Sequence, residues 1–144
     1  MRQLSKILVV LAVGGFALAS CSDDGAKSAG PTVNVEVSDK AGSGSWTLTA
    51  SPASIAAGKI TFTVKNTGTI EHEMVVLKTD TAADALAINE KGRVSEDASV
   101  GEVSEFGAGK TESVTLDLKP GHYVLICNIA AHYGKGMTTS LTVT

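Results

Sequence analysis

The sequence predicts an all-β chain folded as a sandwich of antiparallel strands. Three observations carry that expectation. Short segments alternate polar and β-branched residues with period two, which puts every second side chain on one face of a pleated strand. Clusters of Gly, Pro, Asn and Asp separate them, and these residues favour turns. Seven such segments fall within about 110 residues, the density expected of a sandwich.

Thr32-Val33-Asn34-Val35-Glu36-Val37-Ser38 is the first, and Ser45-Trp46-Thr47-Leu48-Thr49-Ala50 the second. Ile60-Thr61-Phe62-Thr63-Val64-Lys65 alternates again. Glu73 to Lys78 is a more continuous apolar run, as expected of a central strand covered on both faces. Ser113 to Leu118, His122 to Cys127 and Ser140 to Val143 complete the set. The inward faces would carry Val33, Trp46, Leu48, Phe62, Val64, Val76, Leu116, Leu118 and Leu141. Between the fourth and fifth segments, Thr81 to Glu90 mixes Ala, Leu and Ile and predicts one short helix. Lys91 to Lys110 is polar and poorly patterned, so this long connection should cover one side of the sandwich.

The N-terminal part reads as an address rather than as structure. Arg2 and Lys6 precede an apolar run from Ile7 to Leu18, too short to span a bilayer and suited to the core of a secretory signal. Leu18-Ala19-Ser20-Cys21 resembles the lipobox of bacterial lipoproteins, which implies a signal peptide over 1–20 and lipidation of Cys21. Residues 21–31 then form a small, polar, flexible tether, and 32–144 the folded domain. The expected location is outside the cytoplasm, anchored by lipid to a bacterial membrane.

Composition excludes other classes. Among 144 residues, 12 Lys and Arg stand against 15 Asp and Glu, a net charge of −3 with no basic run, so nucleic acid is not a partner. The length leaves no room for separate cofactor and substrate domains.

The chemistry gathers near the C-terminus, in Cys127-Asn128-Ile129-Ala130-Ala131-His132-Tyr133-Gly134-Lys135-Gly136-Met137. With Cys21 lipidated, Cys127 is a lone thiol in an oxidising compartment and has no disulfide partner. A thiolate, an imidazole and a thioether at Cys-x4-His-x4-Met spacing suit one mononuclear type 1 copper, with two imidazoles and the thiolate in a plane and a distant Met on the axis. A second imidazole must come from elsewhere. His122 stands five extended residues from Cys127, roughly 16 Å away. His72, after the Asn66-x-Gly68 turn, is the remaining candidate.

At this point the chain resembles a cupredoxin, of the small blue-copper group that includes plastocyanin, azurin, auracyanin and rusticyanin. The Asn66-x-Gly68 turn before His72, the Pro120-Gly121-x-Tyr123 approach to the Cys127 strand and the ligand loop carry the likeness, and the loop spacing is most similar to rusticyanin and auracyanin. The resemblance implies a Greek-key sandwich of seven to eight strands with copper near one end, held by His72, Cys127, His132 and Met137. Asn66, Glu73 and Asn128 would surround the ligands. Glu73 stands where several relatives carry Asn or Ser, and Ala130-Ala131 replaces a frequent Pro-Gly.

The function expected is transport of single electrons between redox partners by a non-catalytic, monomeric carrier; an extracytoplasmic copper chaperone, sensor or store is the alternative. An enzyme is not expected. Cys127 is flanked by Ile126 and Asn128 rather than by the two His of multicopper oxidases, and only His122 remains for a second copper. Small residues around His132 (Ile129, Ala130, Ala131, Gly134, Gly136) would form an apolar docking patch for a redox protein. Lys135 reads as a solvated tip and His122 as a surface residue.

Overall fold

The computed structural model describes residues 30–40 and 46–144, which form two packed sheets. The leader, Cys21 and residues 22–29 of the tether lie outside the described residues. The strands are β1 (Thr32–Ser38), β2 (Thr47–Ser51), β3 (Ser54–Ile55), β4 (Gly58–Asn66), β5 (His72–Lys78), β6 (Ser99–Phe106), β7 (Thr111–Leu118), β8 (Gly121–Ile126) and β9 (Thr138–Val143). One sheet runs β2-β1-β4-β7 and the other β3-β9-β8-β5-β6. Neighbours are antiparallel except β1 with β4 and β3 with β9, which are parallel.

Alternation does what the sequence predicts. Val33, Val35 and Val37 of β1 and Ile60, Phe62 and Val64 of β4 face inward from the first sheet. Met74, Val76, Tyr123, Leu125, Leu141 and Val143 meet them from the second. Trp46 and Leu116 are only partly buried at the edge of this core. β5 is buried on both faces, as its continuous apolar run requires. Its other face, with Val75 and Leu77, packs with Val124 and Ile126 beneath Ala83, Leu86 and Val94 of the long connection.

Two expectations are corrected. Thr81 to Glu90 is not a helix but a series of turns, with a single β-bridge between Ile88 and Val94. Tertiary bonds hold it down: the buried Tyr133 hydroxyl accepts from Leu86 N–H at 2.9 Å and donates to Ala83 O at 2.8 Å. A continuous helix would have claimed those groups for itself. The only helical turn among the described residues is the 3-10 turn Tyr133–Lys135. The polar stretch after Lys91 also contains a full strand, β6, and Ser54–Ile55 adds the two-residue β3, so the seven expected strands become nine among the described residues. β6 is an edge strand paired to β5 with two register shifts, and its exposed positions carry Ser99, Glu102, Ser104 and Glu105 as well as Val100.

Candidate metal centre

Register builds the site. β5 and β8 are antiparallel neighbours with Val75 opposite Ile126, so the start of β5 meets the end of β8. His72, Met74 and Val76 share the inward face of β5, while Tyr123, Leu125 and Cys127 share that of β8 and its extension. His72 and Cys127 are thereby brought together at one end of the sandwich, both fully buried.

The loop after β8 supplies the second imidazole. Cys127 N–H donates to Met137 O at 3.1 Å, and His132 O accepts from Lys135 N–H at 3.0 Å and Met137 N–H at 3.4 Å. These bonds fold residues 127–137 back on themselves. Gly136, at φ +103°, ends the 3-10 turn in a conformation that other residues adopt at a cost. Cys127 Sγ then lies 3.3 Å from His132 Nδ1 and 3.8 Å from His72 Nδ1. One ligand atom from each of His72, Cys127 and His132 falls within 4.8 Å of the others. Met137 is fully buried in the same cluster of residues as Cys127.

The electrostatics suit a metal that takes a thiolate and two neutral imidazoles. Burial pulls His72 below the ordinary imidazole range despite the Asp39 carboxylate beside it. Burial, with His72 and Lys135 nearby, takes His132 down to about 4. Both rings are therefore neutral at pH 7 and offer lone pairs. Burial pushes the Cys127 thiol up to about 11, although the N–H groups of Glu73 and Ile129 act the other way. Glu73 N–H donates to the sulfur at 3.4 Å. A soft cation that displaces the thiol proton fits this donor set, and copper is such a cation.

The residues around the ligands have distinct tasks. Asn66 is buried; its Oδ1 accepts from Gly68 N–H at 2.9 Å and its Nδ2 donates to Ile70 O at 2.8 Å and Phe106 O at 3.2 Å, which shapes the turn into His72. Asn128 Oδ1 accepts from Val94 N–H, and its Nδ2 donates to Val94 O and Glu96 Oε1, so it clamps the long connection to the site. Glu73 is 7% exposed and its Oε1 has no hydrogen-bond partner among the described residues. Burial, with Glu105, Glu96 and Glu102 adding to it and Arg93 opposing, raises its carboxyl to about 7.

Of the residues expected around His132, Ala130, Ala131, Gly134 and Gly136 are exposed and Ile129 is half-buried, while His132 itself is 7% exposed. His122 is half-buried, its Nδ1 2.6 Å from Thr79 O. Lys135 is not a free tip: its Nζ lies 3.7 Å from the centre of the Trp46 ring. Two neighbours of the site escaped the sequence reading. Trp46 stands edge-on to both imidazoles, 4.6 Å from His132 and 6.0 Å from His72 between ring centres. Asp39 reaches the far side of His72. Both act across long sequence separations, so no local spacing signals them.

Residues 34–144 match the family described as copper binding proteins, plastocyanin/azurin family. No curated protein matches the chain. Among solved structures, reduced auracyanin from Roseiflexus castenholzii is 22% identical, with a TM-score of 0.54, over 80% of this chain and 99% of its own. Rusticyanin from Thiobacillus ferrooxidans is 19% identical, with a TM-score of 0.56, over 80% and 79%. An azurin from Methylomonas sp. strain J is 18% identical, with a TM-score of 0.57, over 81% and 99%. These likenesses concern the fold. The matched segment starts within β1 and holds all later strands and the whole His72–Cys127–His132 cluster, and the chain belongs to the plastocyanin/azurin family of copper-binding proteins.

Proposed function

We propose that this protein carries single electrons outside the cytoplasm, on one type 1 copper that His72, Cys127 and His132 would hold with Met137 as a fourth ligand. The observation that carries the reading is the buried cluster in which one sulfur and two imidazole nitrogens lie within 4.8 Å. Copper bound there supplies a one-electron couple between Cu(II) and Cu(I). The chain's own contribution is rigidity: His72 and Cys127 stand on paired strands, and the backbone bonds of residues 127–137 hold His132. A ligand set that moves little suits both oxidation states. Four protein ligands leave no position for a substrate, which supports a carrier over an enzyme.

The partner is a redox protein that docks on the apolar surface beside His132. Ala130, Ala131, Gly134 and Gly136 are exposed there, and Ile88, 49% exposed, borders Gly134. A depression lined by Leu86, Ile88, Tyr133, Gly134 and Gly136, with Asp84 and Thr138 as its polar members, adjoins the loop. Small side chains permit close approach, and weak redox encounters need little area. Lipidated Cys21 would hold the carrier at a bacterial membrane, with the residues after it as a tether.

Titration of the purified protein with Cu(II) tests the reading. An intense blue absorption saturating at one copper per chain, absent in Cys127→Ala, and a reversible one-electron wave are expected. A colourless complex, or colour indifferent to Cys127, overturns the type 1 site. A blue site that exchanges electrons only sluggishly with small redox reagents would instead favour a copper chaperone, sensor or store.

A further inference from the structure

We infer that Asp39 is a positioning residue for the buried copper ligand, holding His72 with its proton on Nε2 and its lone pair on Nδ1, and favouring the Cu(II) state by its charge. This rests on the copper reading above, but one half of it can be tested without metal.

The argument starts from His72, which is fully buried and presents its two ring nitrogens to different groups. Nδ1 faces Cys127 Sγ at 3.8 Å, and Nε2 lies 3.4 Å from Asp39 Oδ1. A neutral imidazole has one N–H donor and one acceptor, whereas an ionised carboxylate can only accept. The proton therefore sits on Nε2, and Nδ1 is left unprotonated on the side where Cys127 and His132 converge.

The carboxylate is itself held. Asp39 comes directly after β1 and is only about a tenth exposed at its side chain. Thr69 donates to it twice, from its backbone N–H to Oδ1 and from its hydroxyl to Oδ2. Burial alone would raise its carboxyl, but the bonds from Thr69 and His72 outweigh that and keep it well below the usual carboxylate range. The turn that carries Thr69 also leads into His72, so the same few residues orient both partners. Gly68 leaves the space: a Cβ there would stand 1.9 Å from Asp39 Oδ1 and 2.9 Å from His72 Nε2. Any side chain at 68 would force the pair apart.

A carboxylate hydrogen-bonded to the second nitrogen of a ligand imidazole fixes its orientation and makes it a stronger donor. The stronger donor and the nearby negative charge both favour the more highly charged metal state. His132 has no such carboxylate among the described residues, so the two imidazoles are unequal: one anchored from behind, the other beside the exposed loop.

Asp39→Asn and Asp39→Ala separate the hydrogen bond from the charge. In the copper-free full chain, nitrogen NMR of the His72 ring should show the Nε2–H tautomer in the wild type and Asp39→Asn, and a mixture in Asp39→Ala. In the copper-loaded protein both variants should raise the reduction potential, and Asp39→Ala should weaken Cu(II) binding about 10–100-fold. Thermal midpoints of both variants identify any loss of fold, and the near-isosteric Asn variant guards against it. An Nδ1–H tautomer in the wild type, or an unchanged tautomer and potential in Asp39→Ala, overturns the assignment. If no thiolate colour forms with Cu(II), the copper reading fails, while the tautomer of the copper-free protein still decides the Asp39–His72 pairing.

Discussion

Glu73 buries a carboxylate one residue from a copper ligand, with Oε1 unpaired among the described residues. Burying a charge without a partner is costly, and the group responds by holding its proton up to about pH 7. Its folded pKa lies above its unfolded one, so the neutral form stabilises the fold fully below about pH 4.5, and that contribution is lost as pH rises through about 7. Glu73→Gln removes the titration. In the copper-free protein, the stability of Glu73→Gln relative to wild type should grow between pH 5 and 8, by about 1–2 kcal/mol after solvent screening. Denaturant unfolding at several pH values measures it, and a difference that stays flat refutes it. At this scale the three clustered residues were legible because Cys127 and His132 fall at a short fixed spacing in one loop and His72 follows a recognisable turn. Asp39 was not, because it meets His72 across 33 residues and only the parallel pairing of β1 with β4 brings the two loops together.

The long connection between β5 and β6 shows what an element owes to tertiary bonds. Its Ala and Leu content predicts a helix, yet Ala83, Leu86 and Val94 flatten against Val75, Leu77, Val124 and Ile126 instead. The Tyr133 hydroxyl is the pin, and it lies one residue past a copper ligand. Tyr133→Phe would leave Leu86 N–H unpaired, whereas Ala83 O keeps the Thr138 hydroxyl as a donor at 3.0 Å. We expect a loss of about 1 kcal/mol and faster amide hydrogen exchange at Leu86, with the core strands unaffected. Unchanged exchange at Leu86 would show that the apolar contacts alone hold the connection. β6 was hidden for a different reason. Its two register shifts against β5 break the period of two, and its edge position leaves most side chains exposed. The regular inner strands β1, β4 and β8 have no such interruption and were read directly.

For the whole molecule, the copper ligands sit at one end of the core, and Cys127 and Met137 are part of it. Phe62, Ile60, Leu125 and Leu141 are fully buried apolar residues that fill the sandwich, so chelation should leave the β-sheet circular dichroism intact. The thermal midpoint should fall, because an ion that binds only the folded state adds stability by mass action, about 2.7 kcal/mol at a hundredfold excess over Kd. Loss of the sheet signal on chelation would mean that the metal holds the fold together.

Trp46 is the only tryptophan in the chain, and its ring stands edge-on to both ligand imidazoles. Its ultraviolet emission is therefore a built-in gauge of the metal centre, readable in a mixture where no colour is visible. Oxidised copper should quench that emission strongly and reduction should restore part of it, so the redox state of the site can be followed in time. Emission indifferent to copper would place the indole farther from the metal than 4.6 Å from the His132 ring implies.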